Sequence, residues 1–341
     1  MNFPARPDQS LPPLNPFAAP AEPTVDAIVA ESRGKPGPGF WAALGWSLLL
    51  VMVLNGVAIF VAVVLLIAGL GQDQLVLVLM PVTTTITFLS AVALSLAWFG
   101  RFTARRLAFR PPAIRHVGLA LLLVAPLAVV MQEVAAWAGE ILPTFNTELY
   151  LEFAEAPWSL VLVAGCLLPG VGEEIFFRGF LGRGLVARMG LAWGTAWCAF
   201  LFAAIHLDPT QAVGILVIGV ALQLVLASTC SLWIPILIHA LNNALSFSMV
   251  KLDLLTDLDH LPRPVVASAA LVLVLLAVLF YRTRSQWILP DGEPWNPGYL
   301  TAEMPPRELD AHVDSGRVPL TWLAALGIAY TIFVTAGVQM F

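Results

Sequence analysis

The chain has 341 residues, of which 59% are hydrophobic and only 11% charged, less than half the charged share of ordinary soluble domains, roughly 25%. A water-soluble globule of this length still needs a polar shell, so lipid is the solvent that this composition suits. The net charge of -5 and the lack of a basic patch argue against a nucleic-acid partner.

Residues 1–39 are rich in proline (Pro4, Pro7, Pro12, Pro13, Pro16, Pro20, Pro23) and show no apolar period. Such a segment cannot bury enough surface to offset chain entropy, which predicts a disordered tail. It lacks the charged start, short apolar stretch and cleavage site of a secretory signal. From Phe40 onward, apolar runs of spanning length follow one another, about 20 residues being needed to cross the hydrocarbon core. They cover Phe40–Leu70, Leu75–Phe99, Val117–Ala138, Trp158–Leu181, Leu191–Leu207, Ala212–Ala227, Leu232–Val250, Val265–Tyr281 and Val318–Met340. Spans in lipid must be helices, because an open strand leaves backbone groups unpaired. The expected fold is all-α, a polytopic transmembrane helical bundle of eight or nine spans, the fifth and sixth runs being short.

The organisation reads as a cytoplasmic tail (1–39), N-terminal transmembrane helices (40–142), a helical core (143–282), a proline-rich cytoplasmic loop (283–317) and a C-terminal transmembrane helix (318–341). No internal repeat relates the spans, unlike many transporters. Cys166, Cys198 and Cys230 fall in or beside apolar runs; an odd, small number there is no disulfide framework, and they read as buried hydrophobes.

Orientation follows from arginine and lysine in short loops. Arg101, Arg105, Arg106, Arg110 and Arg115 follow the second run, Arg183 and Arg188 the fourth, and Arg282 and Arg284 the eighth, while Arg33 and Lys35 precede the first. The loop after the third run carries Glu148, Glu152 and Glu155 and no base. An N-inside, C-outside path in a plasma (inner) membrane satisfies every cluster.

Ionisable groups inside a span are costly and mark function by default. The fourth run holds Gly172-Glu173-Glu174-Ile175-Phe176-Phe177-Arg178. Glu174 and Arg178 stand at i, i+4 with the acid first, the favoured order for an ion pair. Glu173 points about 100° away and has no such partner, which leaves it for chemistry. Alone, the pattern also fits a helix packed through a buried salt bridge. The fifth run ends in Phe202-Ala203-Ala204-Ile205-His206, and the seventh contains His239-Ala240-Leu241-Asn242-Asn243. Taken singly, His206 fits an interfacial residue and His239 with Asn243 fits interhelical polar packing. Packing alone does not explain all of them in nearby spans. Gln132, Glu133, Gln223 and Asn55 are further polar residues that pack or line a cavity, and Thr83, Thr84 and Thr85 can bond back to their own helix. His116, His260 and His312 read as solvated loop residues.

The ordered triple Glu-Glu-x-x-x-Arg, Phe-x-x-x-His and His-x-x-x-Asn, on Glu173, Glu174 and Arg178, on Phe202 and His206, and on His239 and Asn243, resembles the CAAX protease and bacteriocin-processing (CPBP, or Abi) family of intramembrane endopeptidases. The resemblance covers about 155–250 and implies a peptidase. Glu173, helped by His206, would activate a water. His239 and Asn243 would donate to the oxyanion, and Glu174, Arg178 and Phe202 would support them. Ser246 and Ser248 have no motif around them, and Cys198 and Cys230 no activating base. Family members are often called metalloproteases, and Glu173, His206 and His239 could make a three-ligand zinc site. The His-Glu-x-x-His signature is absent, and Asn243 suits an oxyanion better than zinc, so no cofactor is favoured and zinc is the alternative.

The partners implied are the lipid bilayer and a peptide or membrane-protein substrate, including a C-terminal or prenylated one. A non-catalytic scaffold, bacteriocin-immunity factor or small-molecule carrier on the same fold is the rival reading. One strain stands in the catalytic one. Counted from Arg183 and from the start of the fifth run, Glu173 and His206 differ in depth by several ångströms, unless the fourth helix tilts or runs past Arg183.

Overall fold

The structure, a computed structural model, describes residues 37–69, 73–100, 103–145, 155–252, 260–289, 291–294 and 313–338. The expectations for residues 1–36, Glu148, Glu152 and His312, and for most of the 283–317 loop, lie outside the described residues.

Long apolar runs give long helices. These are α1 (Phe40–Ile67), α2 (Asp73–Phe99), α3 (Ile114–Gly139), α4 (Trp158–Ala204), α5 (Pro209–Thr229), α6 (Trp233–Lys251), α7 (Arg263–Arg282) and α8 (Leu320–Val338). All eight contain a stretch long and apolar enough to cross a membrane. The all-α bundle predicted from the sequence is the fold found, and the chain is an integral membrane protein. The described strands are two of three residues, β1 (Ser285–Trp287) and β2 (Val313–Ser315), paired antiparallel at the two ends of the proline-rich loop.

The fourth and fifth runs form one 47-residue helical segment, α4, broken at Gly190. Gly190 has φ 77° and ψ 170°, a conformation essentially reserved for glycine. The chain reverses there, so α4 has a first limb (158–189) and a second limb (191–204). The limbs pack closely, for a Cβ on Gly194 would lie 2.5 Å from the Val186 Cα. This hairpin resolves the depth problem. The first limb does run past Arg183, and Glu173 lies 17 residues before Gly190 while His206 lies 16 after it. At about 1.5 Å per residue the two stand at nearly the same height.

The first limb is the centre of the bundle, against α2, α6 and its own second limb, while α3 and α5 close the other side and α8 packs on α7. Every residue from Glu174 to Val186 is buried.

The two ends of the bundle differ. At one end Arg183 bonds the Arg106 carbonyl, Arg188 the Gly37 carbonyl (2.7 Å), Ser231 the Arg110 carbonyl (2.6 Å) and Arg115 the Gly316 carbonyl. That end gathers the basic loops. At the other, Thr210 bonds the Leu142 carbonyl (3.2 Å), Lys251 the Ala156 carbonyl (2.6 Å) and the Phe145 N–H donates to Asp208 (2.8 Å).

Two histidines differ from expectation. His116 is fully buried on α3, where its Nε2 meets the Thr283 carbonyl at 2.8 Å; it begins a helix that starts three residues before the apolar run. His260 bridges Glu133 (3.1 Å) and Glu140 (2.9 Å) through both ring nitrogens. Carboxylates only accept, so the ring in this geometry is the doubly protonated imidazolium. The hydrogen bond to Glu133, then that to Glu140, raises its pKa above 6.5.

A folded-state pKa above the unfolded one means that this clamp contributes most below pH 6.5 and is lost as pH climbs through the raised value. In mildly acidic buffer His260→Ala should lower the thermal midpoint of detergent-purified protein, and in alkaline buffer it should match the parent. Gly190→Ala should cost about 1–3 kcal/mol at any pH, read as a lower midpoint. Gly118→Ala, at an open helical position with nothing within 4 Å, should by contrast keep or slightly raise the midpoint, a gain of up to about 1 kcal/mol.

Candidate functional site

Around the glutamate pair, α4 is not a uniform α-helix. Two π-helical stretches, Val161–Leu167 and Glu174–Gly182, flank the six α-helical residues Leu168–Glu173. Such widened turns are frequent at functional sites. Here one of them begins at Glu174.

Glu174 and Arg178 are both wholly buried and 2.8 Å apart. A charge in that position must be neutralised where it stands, and three further contacts serve the pair. Arg178 donates to the Gly219 carbonyl at 3.3 Å. Its guanidinium lies 4.1 Å above the Phe202 ring, an attraction of cation for π-face. His239 donates from Nδ1 to the same Glu174 oxygen at 2.7 Å. Spacing within one helix gave the Glu174–Arg178 neighbours; the third partner comes from α6 and could not be read locally.

Glu173 is separate. Its Oε2 is buried, has no hydrogen-bond partner and lies 3.8 Å from Nε2 of His239, beyond hydrogen-bond length. The adjacent carboxylates are thus unequal: Glu174 holds Arg178 and His239 on Oε1 and leaves only its Oε2 unpartnered, while the Glu173 carboxylate takes no hydrogen bond among the described residues.

Phe202 is 2% exposed, and its edge contacts organise the site. It meets Phe177, His206 and His239 at centroid distances of 5.2, 5.4 and 5.7 Å. His206 donates from Nδ1 to the Phe202 carbonyl at 3.0 Å. A carbonyl only accepts, so this bond puts the proton on Nδ1 and leaves Nε2 of a neutral ring basic. Glu173 is near enough to act electrostatically on that ring.

Glu173, Phe202, His206, His239, Asn242 and Asn243 line one cavity of about 610 Å3. On α6 the lining residues are His239, Asn242, Asn243, Ser246, Phe247 and Val250, one helical stripe at i, i+3, i+4, i+7, i+8 and i+11. Met80, Thr83 and Thr84 come from α2, Met131 and Gln132 from α3, and Gln211, Ile215 and Ile218 from α5. Thr83 and Thr84 return their hydroxyls to the Leu79 and Met80 carbonyls at 2.7 Å. Asn243 gives an Nδ2 hydrogen to the Gly165 carbonyl at 3.1 Å. Asn242 is 4% exposed and its Oδ1 has no partner. Asn242 lies outside the three motifs, and its i+3 position from His239 is the sequence signal for it.

Among the described residues no three His, Cys, Asp or Glu side chains are grouped to hold one ion; each histidine is braced through Nδ1 and keeps Nε2 open, as the rings of metal-bound histidines do. Cys166, Cys198 and Cys230 are free and buried, with Cys198 on the Phe177 carbonyl and Cys230 on that of Ser285. The depth of burial suits the packing role expected of them.

Residues 155–245 match the family model described as Type II CAAX prenyl endopeptidase Rce1-like, the group of proteases to which the three motifs point. No curated protein and no solved structure matches the chain.

Breaking the buried pair should be severe. Arg178→Met leaves Glu174 without its cation and should cost about 3–5 kcal/mol, measured by chemical unfolding in detergent. Glu174→Gln combined with Arg178→Met should recover part of that loss.

Proposed function

We propose that this integral membrane protein, whose residues 155–245 match a CAAX-type intramembrane protease family, hydrolyses a peptide bond with a water activated by Glu173 and His206. What supports this most is the unequal pair. Glu174 is locked by Arg178 and His239, while Glu173 keeps an unbonded oxygen in a cavity that it shares with both histidines.

In this mechanism the Glu173 carboxylate takes a proton from the water as the oxygen attacks the scissile carbonyl, and Nε2 of His206 is the second basic atom beside it. The tetrahedral oxygen is received by Nε2 of His239 and an asparagine N–H. Because Nδ1 of His239 already donates to Glu174, Nε2 donates only when the ring carries both protons; with Glu174 already paired to Arg178, that charge faces the Glu173 carboxylate 3.8 Å away and then the developing oxyanion. Asn243 retains one N–H beyond the one given to Gly165, and Asn242 offers an amide on the same helical face. The proton held by Glu173 then passes to the leaving amine. In this reading the reaction needs no metal, and zinc held by Glu173, His206 and His239 is the alternative.

Met80, Met131, Ile215, Ile218 and Phe247 form the apolar wall of the cavity. They suit an apolar side chain or a prenylated C-terminus of the kind named in the family description. The basic loops at one end of the bundle support a cytoplasmic N-terminus and an outer C-terminus in a plasma membrane.

Purified full-length protein should cleave members of a peptide library that includes prenylated and unprenylated C-termini. Glu173→Ala should lose about 10²–10⁴-fold of that rate, and Asn242→Ala should lower kcat with little change in KM. Undiminished cleavage by Glu173→Ala sinks the mechanism. A stoichiometric metal bound to the parent and lost from His206→Ala would replace the metal-free reaction with a zinc-dependent one.

A further inference from the structure

The cavity lies wholly in one half of the bundle. Its floor is Glu173 and His239, near mid-height, and from there its lining runs away from the basic end. On α6 it reaches Val250, next to Lys251, which bonds the Ala156 carbonyl at the opposite end. On α5 it reaches Gln211, next to Thr210, which bonds the Leu142 carbonyl there. Two of the polar lining residues, Gln132 and Ser246, are exposed.

Towards the basic end the site is closed. The 13 residues from Glu174 to Val186 are buried without interruption, a length of about 20 Å at helical rise. Arg183 and Arg106 tie the helix to the neighbouring loop below them.

We infer that the site is entered from the outer face of the membrane, and that its substrate is an extracytoplasmic peptide or the outer end of a membrane-embedded segment. This rests on the proposed orientation and proteolytic reading. Arginine-rich short loops stay in the cytoplasm, and these loops gather at the end from which the cavity is sealed. A water and a polar peptide backbone must both reach Glu173, and the polar path lined by Gln132 and Ser246 leads to the other end. A cytosolic C-terminus, prenylated or not, would have to cross the closed half of the bundle. The substrate therefore presents its scissile bond from outside, with an apolar side chain against Met131 and Phe247.

The test reads sidedness without using activity. Gln132→Cys and Ser246→Cys are made in the full chain, whose native cysteines Cys166, Cys198 and Cys230 are buried. A charged, membrane-impermeant maleimide is then applied to right-side-out and to inside-out membrane vesicles. Ala104→Cys, on the exposed turn between Thr103 and Arg106 at the basic end, reports the cytoplasmic face. Both cavity cysteines should label in right-side-out vesicles and remain at background in inside-out ones, with Ala104→Cys giving the reverse. Labelling of Gln132→Cys and Ser246→Cys only from the inside-out side, or from neither side, overturns the inference. A second arm adds the peptide library outside right-side-out vesicles, where the parent should cleave it and Glu173→Ala should not. Outer labelling with no cleavage by the parent in either arrangement would fault the proteolytic reading and with it the substrate, while leaving the sidedness established.

Discussion

A carboxylate and a guanidinium with no exposed surface, in a chain made for lipid, are the constraint on which the rest of this site depends. Neither Glu174 nor Arg178 could stay charged there alone, and their mutual attraction is not sufficient, since desolvation of each costs several kcal/mol. The surroundings supply what is missing from three separate elements: the Gly219 carbonyl of α5, the face of Phe202 on the second limb of α4, and Nδ1 of His239 on α6. Meeting the needs of one ion pair thus draws together the helices that carry every candidate catalytic group.

That convergence also sets chemical states. With its Nδ1 committed to Glu174, His239 can turn only Nε2 to the cavity, and His206 is oriented the same way by the Phe202 carbonyl. Two imidazoles and one carboxylate then face a common space, each with an uncommitted atom. The neighbouring carboxylates Glu173 and Glu174 acquire different roles from their partners alone, an arrangement in which environment rather than residue type assigns the chemistry.

The hairpin at Gly190 supplies the vertical register. A residue able to hold φ 77° and ψ 170° lets the two limbs of α4 run antiparallel, so that Glu173 and His206 meet at nearly equal distances from the turn. The same geometry buries the lower part of the first limb and opens the upper half around Gln132 and Ser246. Access and register are two results of one reversal.

Much of this was legible without coordinates. Long apolar runs can only be helices in lipid, so the all-α bundle and its spans followed from composition, and i, i+4 spacing made Glu174 and Arg178 neighbours. The three motifs named Glu173, Phe202, His206, His239 and Asn243 of the cavity lining, but not Asn242. The remainder depends on contacts between distant parts of the chain. Nothing near His239 in sequence points to Glu174, 65 residues away, and nothing near Asn243 points to Gly165. His116 reads as a loop residue until Thr283 is brought against it. The depth of Glu173 relative to His206 could not be counted along the chain either, because it turns on one backbone reversal at Gly190. The polar residues buried in the apolar core were therefore visible as candidates from the sequence, since lipid makes them costly wherever they fall. Tertiary packing decided which oxygen or nitrogen of each is spent on a neighbour and which stays free.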